Sequence, residues 1–237
     1  MIIVHDYTHN PLTFIGRMSG ICYDSNTGND ALNVKRAKGL LSANHGRTLE
    51  FADITIEISG YSNRVMRELY THIIGVTRLQ QSTRYVDMNY YLQQYYVPDS
   101  IKENNEALAI YNTAMLDIYE AYGDLVAMGI PIEDVGNLVT LGHETKVILK
   151  INLRALIHMF ETRTCNRAYH EFRKLMGELR ITLKSLDSEW KFLTDNYLVT
   201  KCVNVGYCVE AKSCGRYPHS SDVILIDKDD LHSVLGE

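Results

Sequence analysis

Leu108, Tyr111, Met115, Ile118, Tyr122 and Leu125 recur at spacings of three and four, which lays one apolar stripe along a helix predicted from about Lys102 to Met128. Gly129-Ile130-Pro131 ends it. Phe172, Met176, Leu179, Leu183, Leu186 and Trp190 repeat the same spacing and predict a second long helix. Both stripes read as core or helix–helix packing. Shorter helices are predicted over Asp30 to Ala43, Glu133 to Val139 and Asn152 to about Cys165. Asp53 to Ile58 alternates polar and apolar residues, many of them β-branched, and reads as a strand with one buried face. Ser59-Gly60 breaks that strand, and Ser62 or Asn63 caps a helix running to about His72. The chain from Gly75 to Gln81 reads as a loop, the tyrosine-rich stretch Tyr85 to Tyr96 as containing strand, and the stretch after Lys201 as loop-like. The pattern as a whole is α+β: a small mixed or antiparallel sheet in the first hundred residues and a second half of long helices. One domain is expected over 1–200, with a cysteine-containing tail, 201–237, packed on it.

Composition narrows the function classes. A chain of 237 residues can bury one substantial core. The net charge of −5 gives no general attraction to a nucleic-acid polymer, while a few local arginines could still hold a mononucleotide. No apolar run approaches bilayer length, and Met1 to His9 has no signal-peptide apolar region, so no membrane association is expected and the protein is expected to be cytoplasmic. Five cysteines, three of them late in the chain, suit a reducing compartment better than a disulfide framework. No strand is followed by Gly-x-Gly-x-x-Gly, and no Gly-x-x-x-x-Gly-Lys loop occurs, which argues against a dinucleotide-binding domain of the usual kind and against a P-loop NTPase.

The densest candidate chemistry is Glu68-Leu69-Tyr70-Thr71-His72 followed by Thr77-Arg78-Leu79-Gln80-Gln81-Ser82-Thr83-Arg84-Tyr85. A helix end, a polar loop, a hydroxyl and an arginine together form a seat for phosphate, to which arginine adds a two-pronged contact. His158, among Leu156, Ile157 and Met159, reads on its own as a hydrogen-bonded core histidine. Arg163 and Arg167 read as a solvated basic face or as partners of Glu171. Tyr90-Tyr91 and Tyr95-Tyr96 read as cover for a sheet edge or a subunit contact. Cys165, Cys202, Cys208 and Cys214 could supply four thiolates to a structural zinc; their spacing is wider than a Cys-x-x-Cys knuckle, and buried or free thiols fit equally well.

The Ser82 stretch resembles the signature of the flavin-dependent thymidylate synthases, written R-H-R, seven residues, S, with the extension S-x-R-Y. The ending is kept as Ser82-Thr83-Arg84-Tyr85 and the central histidine as His72. Thr71 and Ile73 stand in place of the flanking arginines, and the spacing is one residue longer. Asn152-Leu153-Arg154-Ala155-Leu156 through Arg163 resembles the family's N-x-R-S-L segment. Leu49-Glu50-Phe51 resembles its P-F-E-H, and Gly20-Ile21-Cys22-Tyr23-Asp24-Ser25 faintly resembles its A-R-x-C-Y-x-S. These matches keep the family's order from about residue 16 to 167.

The resemblance implies a fold and a reaction. FAD delivers hydride, NADPH reduces the flavin, and methylenetetrahydrofolate supplies the carbon that converts dUMP to dTMP. By position, Ser82, Thr83 and Arg84 would hold the nucleotide. Glu68 stands where the family has a base-reading glutamine, and Gln80 where it has an acidic residue. Gly136 falls near a family arginine that reaches the phosphate. Glu50, Thr71, His72, Gln80, Asn152, Arg154 and His158 would face the flavin, and Arg163 would bind and polarise the pyrimidine ring as the catalytic residue. Two other functions stay open: a methylase or hydroxymethylase of another pyrimidine nucleotide, favoured by the Glu68 and Gln80 exchanges, and a non-catalytic, zinc-stapled nucleotide-binding protein. Arg154 and His158, four apart, share a helix face, while Arg163 lies half a turn away from Arg154. Either the helix breaks near Thr162 or the two arginines serve different sites. The second option fits the family's homotetramer, whose sites lie where subunits meet.

Overall fold

Strand β1 (Ile2–Tyr7), helix α1 (Pro11–Ile21) and helix α2 (Asp30–Ser42) open the chain in a computed structural model that describes residues 1–223. A 3-10 turn, Gly46–Phe51, leads into β2 (Asp53–Ser62) and α3 (Asn63–Leu69), followed by β3 (Val76–Gln80). Then come α4 (Asp99–Lys102), the long α5 (Asn105–Ala127), α6 (Ile132–Val135), β4 (Glu144–Asn152) and α7 (Leu153–Arg163). Helices α8 (His170–Lys184), α9 (Ser188–Asn196), α10 (Lys201–Val205) and α11 (Ser220–Val223) complete the described chain.

The sheet has the order β1-β2-β4-β3, and every neighbouring pair is antiparallel. Alternation places Ile54, Ile56 and Ile58 of β2 on one face, opposite Ile151, Leu149 and Val147 of β4, all buried. That face joins Leu12, Leu156, Phe160, Phe172, Leu179 and Trp190 in one core. Each such side chain contributes about 1.5–3 kcal/mol by leaving water. Met88, Leu92, Tyr122 and Val135 form a smaller second cluster beneath α5.

The expected α+β class holds, with local differences, one of them the short helix α10 in the stretch expected to be loop-like. Val76 to Gln80 is a strand rather than a loop. It pairs with β4 at the sheet edge, where only one side is covered and polar residues are tolerated. Tyr85 to Tyr96 is a run of turns with a single bridge, Tyr95 to His143. Its backbone is held in part by side chains, including the Tyr122 hydroxyl that accepts from Met88 N at 3.1 Å. The second half is not purely helical, because β4 is an inner strand of the sheet whose Thr145, Val147, Leu149 and Ile151 alternate with solvent-facing Lys146, Ile148 and Lys150. The helix predicted through Trp190 is two helices. Asp187 starts the second by accepting from the backbone of Glu189 and Trp190 at 2.8 Å each, and Leu186 and Trp190 still pack on the core. The α5 stripe buries fully only Met115 and Tyr122. After α10, bonds from Arg216 to Asn166 and from Arg167 to Glu210 tie the tail to the end of α7; residues 224–237 of the tail lie outside the described part. Among the described residues no helix is long and apolar enough to cross a membrane.

Candidate functional site

The site is anchored from beneath. Glu171, 1% exposed, accepts from Ser62 N at 2.7 Å and from Ser62 Oγ at 2.6 Å, and burial holds its carboxyl above the usual carboxylate range. Ser62 in turn accepts from Val65 N and starts α3, the helix that carries Glu68 at its end. Beyond α3 the chain turns back at Gly75, where φ is +74°, and a Cβ there would lie 2.5 Å from Asn152 Nδ2. Asn152 N donates to Gly75 O at 3.0 Å, and the Asn152 side chain caps α7 by accepting from Ala155 N at 2.9 Å. The loop after α3 and the start of α7 are thus locked together.

Across that junction α7 delivers Arg163. Its Nε donates to His72 Nε2 at 3.0 Å, Nη1 to Glu68 Oε2 at 3.0 Å, and Nη2 to the Glu68 carbonyl at 3.3 Å and Thr71 Oγ1 at 2.8 Å. The guanidinium lies 5.0 Å over the Phe172 ring. An arginine carries five N–H groups, so these contacts leave one, on Nη1. His72 accepts at Nε2 and is therefore neutral. Burial first, then the Arg163 charge and His158, push its pKa down to about 4. Arg78, absent from the expected set, donates to His72 O at 3.0 Å and stacks on Tyr70 at 4.2 Å.

Two hollows meet at His158. One, of about 460 Å³, is lined by Thr71, His72, Ile73, Ala155, Thr162 and Arg163. The other, of about 750 Å³, runs past Gly46, Leu49, Arg154, Ile157 and Tyr197. Arg154 Nη1 bonds Glu50 Oε1 at 2.6 Å at its rim. The expected residues Thr71, His72, Arg154 and His158 therefore gather along one connected surface. Asn152 serves as the cap of α7 and Glu50 as the partner of Arg154. The reading of His158 as a core histidine does not hold: its ring is exposed at the junction, 5.8 Å from His72. Tyr197 and Gly46 reach the larger hollow from elements remote in sequence, and nothing local marked them.

Ser82, Thr83 and Arg84 stand apart. Arg84 donates from Nε and Nη2 to Glu133 Oε2 at 3.0 and 2.8 Å, and Ser82 Oγ accepts from Arg84 N at 3.1 Å. Thr83 and Gln80 line a further hollow of about 410 Å³ with Asn63, Arg67 and Tyr70. Gln80 donates to Asn63 Oδ1 at 2.9 Å. Gly136 sits there because a Cβ would lie 2.7 Å from Thr83 O. Arg163 lines none of this surface. Helix α7 is unbroken, and Arg154 and Arg163 face different partners on it.

Cys165, Cys202, Cys208 and Cys214 all line one cavity of about 190 Å³, and all are free thiols. Among the described residues no three Cys, His, Asp or Glu side chains are placed to hold a metal ion, so the structure does not support the expected zinc at these four cysteines, which only line a common cavity.

Residues 3–186 match the family described as Thymidylate synthase complementing protein, Thy1. A flavin-dependent thymidylate synthase of Nitratidesulfovibrio vulgaris is 31% identical over 193 residues, covering 76% of this chain and 74% of that protein. Another, of Geobacter sulfurreducens, is 31% identical and covers 78% and 82%. The fold is similar to thymidylate synthase X from Helicobacter pylori with FAD and dUMP, at a TM-score of 0.67 and 20% identity over 84% of this chain and 99% of that one. It is also similar to the UMP/dUMP methylase PolB from Streptomyces cacaoi bound with 5-Br dUMP, at a TM-score of 0.69 and 15% identity over 84% and 96%.

Proposed function

The chain belongs to the flavin-dependent thymidylate synthase (Thy1) family and is an enzyme of methyltransferase type, and from that premise we propose that it converts dUMP to dTMP with FAD, methylenetetrahydrofolate and NADPH. The observation that carries this reading is Arg163, fixed by Glu68, Thr71 and His72 with one N–H left over. That N–H, on a locked cation, is a charge-assisted donor for a pyrimidine carbonyl and draws electron density from the ring. Because the contacts are made in the resting protein, the guanidinium needs no reordering when the nucleotide arrives.

The two hollows that meet at His158 fit the flavin. Their volumes fall in the range of roughly 300–1,000 Å³ of cofactor sites. Arg154 and His158 would hold it, with Asn152 and Glu50 orienting Arg154. Bound FAD, reduced by NADPH, supplies hydride, and methylenetetrahydrofolate supplies the carbon for position 5 of the ring. Thr71 is committed to Arg163 and serves it in place of a flavin contact. Ile73, 70% exposed, offers apolar cover where the family has an arginine. Ser82, Thr83 and Arg84 would hold the nucleotide phosphate. Their separation from Arg163 within one chain supports a homotetramer in which one chain's Arg163 and another's Arg84 complete a site.

Titration of the purified protein with FAD tests the reading. Saturable binding is expected, weakened about tenfold or more in Arg154→Ala, the loss of one charge-assisted contact. A protein that binds no FAD even with dUMP present contradicts it.

One observation favours a second substrate. Glu68 keeps Oε1 free beside the spare N–H of Arg163. A carboxylate only accepts, so the pair presents an acceptor next to a donor, which another pyrimidine nucleotide could satisfy. Side-by-side turnover of dUMP, UMP and dCMP separates the two.

A further inference from the structure

We propose that Arg67 is a further nucleotide-binding residue, a second cation that seats the phosphate in the hollow between α3 and the loop 82–84. This role rests on the chain acting on a pyrimidine nucleotide, as proposed above, and it falls to a residue outside the motifs of the sequence.

Helix α3 serves two surfaces. Glu68 turns to Arg163, whose Nη1 donates to it at 3.0 Å. Asn63 and Arg67 of α3 and Tyr70 just beyond it are spaced four and three apart, so they share a different face. That face lines the hollow of about 410 Å³, with Gln80 and Thr83 across from it. Gly136 lets the far wall close. It opens the 3-10 turn Gly136–Leu138, and a Cβ on it would lie 2.7 Å from Thr83 O and 3.3 Å from Thr83 Cβ. Thr83 is thereby seated against that turn, and the hollow lies beside the loop that carries Arg84.

The second observation is the charge. Among the described residues Arg67 is the one charged side chain lining this hollow, and no carboxylate lines it. The nearby acids are spent elsewhere, Glu68 on Arg163 and Glu133 on Arg84. The last turn of a helix favours a cation, which accounts for a basic residue at this position. It does not occupy the guanidinium: among the described residues the Arg67 side chain has no hydrogen bond and no ion pair. The Tyr70 and Thr83 hydroxyls are likewise without a partner among the described residues. Arg78, 4.2 Å from the centre of the Tyr70 ring, adds positive charge behind that wall.

An uncommitted guanidinium, two hydroxyl donors and no opposing carboxylate describe a receptor for an oxyanion. A phosphate monoester carries a charge of about −1.5 to −2 at neutral pH and three terminal acceptor oxygens. Two arginines match that charge. Arg67 reaches the phosphate from α3 and Arg84 from the adjoining loop once Glu133 gives it up. Lysine would keep the charge of Arg67 but lose its two-pronged contact.

The test compares dUMP with deoxyuridine, which lacks the phosphate, on the full chain with FAD present. Affinities of the parent, Arg67→Lys and Arg67→Ala are measured by calorimetry, or by competition where binding is weak. The parent should bind dUMP more tightly than deoxyuridine. Arg67→Ala should weaken dUMP binding about ten- to a hundred-fold, the loss of one charge-assisted contact, and leave deoxyuridine binding unchanged. Arg67→Lys should fall between the two. FAD and NADPH affinities should stay at the parent's values, which assigns the hollow to the nucleotide's phosphate over a cofactor's. Arg67 is exposed, so the variants should melt with the parent. An Arg67→Ala protein that binds dUMP as the parent does overturns the proposal. So does equal weakening of dUMP and deoxyuridine, which would mean a structural role, or a loss of FAD or NADPH affinity in place of dUMP affinity. A parent that binds no pyrimidine mononucleotide is a different result and overturns the substrate reading along with this one.

Discussion

Arg154 and Arg163 leave opposite sides of one unbroken helix, Arg154 to bond Glu50 at 2.6 Å and Arg163 to bond Glu68 at 3.0 Å. Nine residues at 3.6 per turn bring the chain half a turn round, so α7 offers a cation to each of the two hollows that meet at His158. If chains assemble as proposed, a mixture of Arg84→Ala and Arg163→Ala subunits recovers activity that neither variant has alone. Hybrids that form without recovering activity place Arg84 and Arg163 in one chain's site.

Arg84 is occupied by Glu133 in the resting chain, through two bonds to one oxygen. The pair is largely exposed, so it holds weakly and yields to a phosphate. Arg84→Ala should weaken nucleotide binding about ten- to a hundred-fold, and Ser82→Ala should weaken it less, with FAD affinity nearly unchanged in both. Glu133→Gln should tighten nucleotide binding, because it frees the guanidinium. Calorimetric titration of dUMP checks all three; an Arg84→Ala variant of unchanged affinity removes the phosphate from this loop.

Gly75 stands at positive φ with Asn152 against it. Gly75→Ala should cost about 1–3 kcal/mol from backbone strain alone. The steric conflict with Asn152 should also loosen the start of α7. Urea unfolding measures the first effect. A fall in FAD affinity larger than the fall in nucleotide affinity reports the second.

His72 gives a pH signature. Its folded pKa is about 4 and its ordinary value 6.5. Above pH 6.5 the ring is neutral in both states and adds no pH dependence. Between 6.5 and 4 the unfolded chain takes up the proton and the folded chain does not, so stability falls as pH falls through that window. Urea melts from pH 7 to pH 4.5 should show a smaller loss in His72→Gln than in the parent. Equal losses would mean that His72 is not held neutral.

The sequence carried the site better than the sheet. The cap at Ser62 and the helix that Asn152 caps follow from short-range signals, although α3 ends at Leu69 rather than near His72 and only the structure shows α7 unbroken through Thr162; the order of motifs pointed to the residues around Arg163. Strand β3 was hidden because an edge strand with one covered side is free to read as polar. The break at Asp187 was hidden because Leu186 and Trp190 stay in the core on both sides of it. Arg78 was missed because its role, donating to His72 O and stacking on Tyr70, depends on two turns that only the fold brings together. Tyr197 and Gly46 line the larger hollow through long-range packing, which has no periodic signature.

The central claim is that Arg163, locked by Glu68, Thr71 and His72, polarises a pyrimidine in a flavin-dependent methylation. The most direct measurement is formation of dTMP from dUMP by the parent and by Arg163→Lys, with FAD, NADPH and methylenetetrahydrofolate all present. The parent should form dTMP only when all three are supplied. Arg163→Lys keeps the charge but cannot reproduce the four bonds and the remaining N–H, and should be slower by about a hundredfold or more, with FAD affinity retained. An Arg163→Lys enzyme as fast as the parent, or a parent that binds FAD and dUMP yet forms no dTMP, would contradict the account.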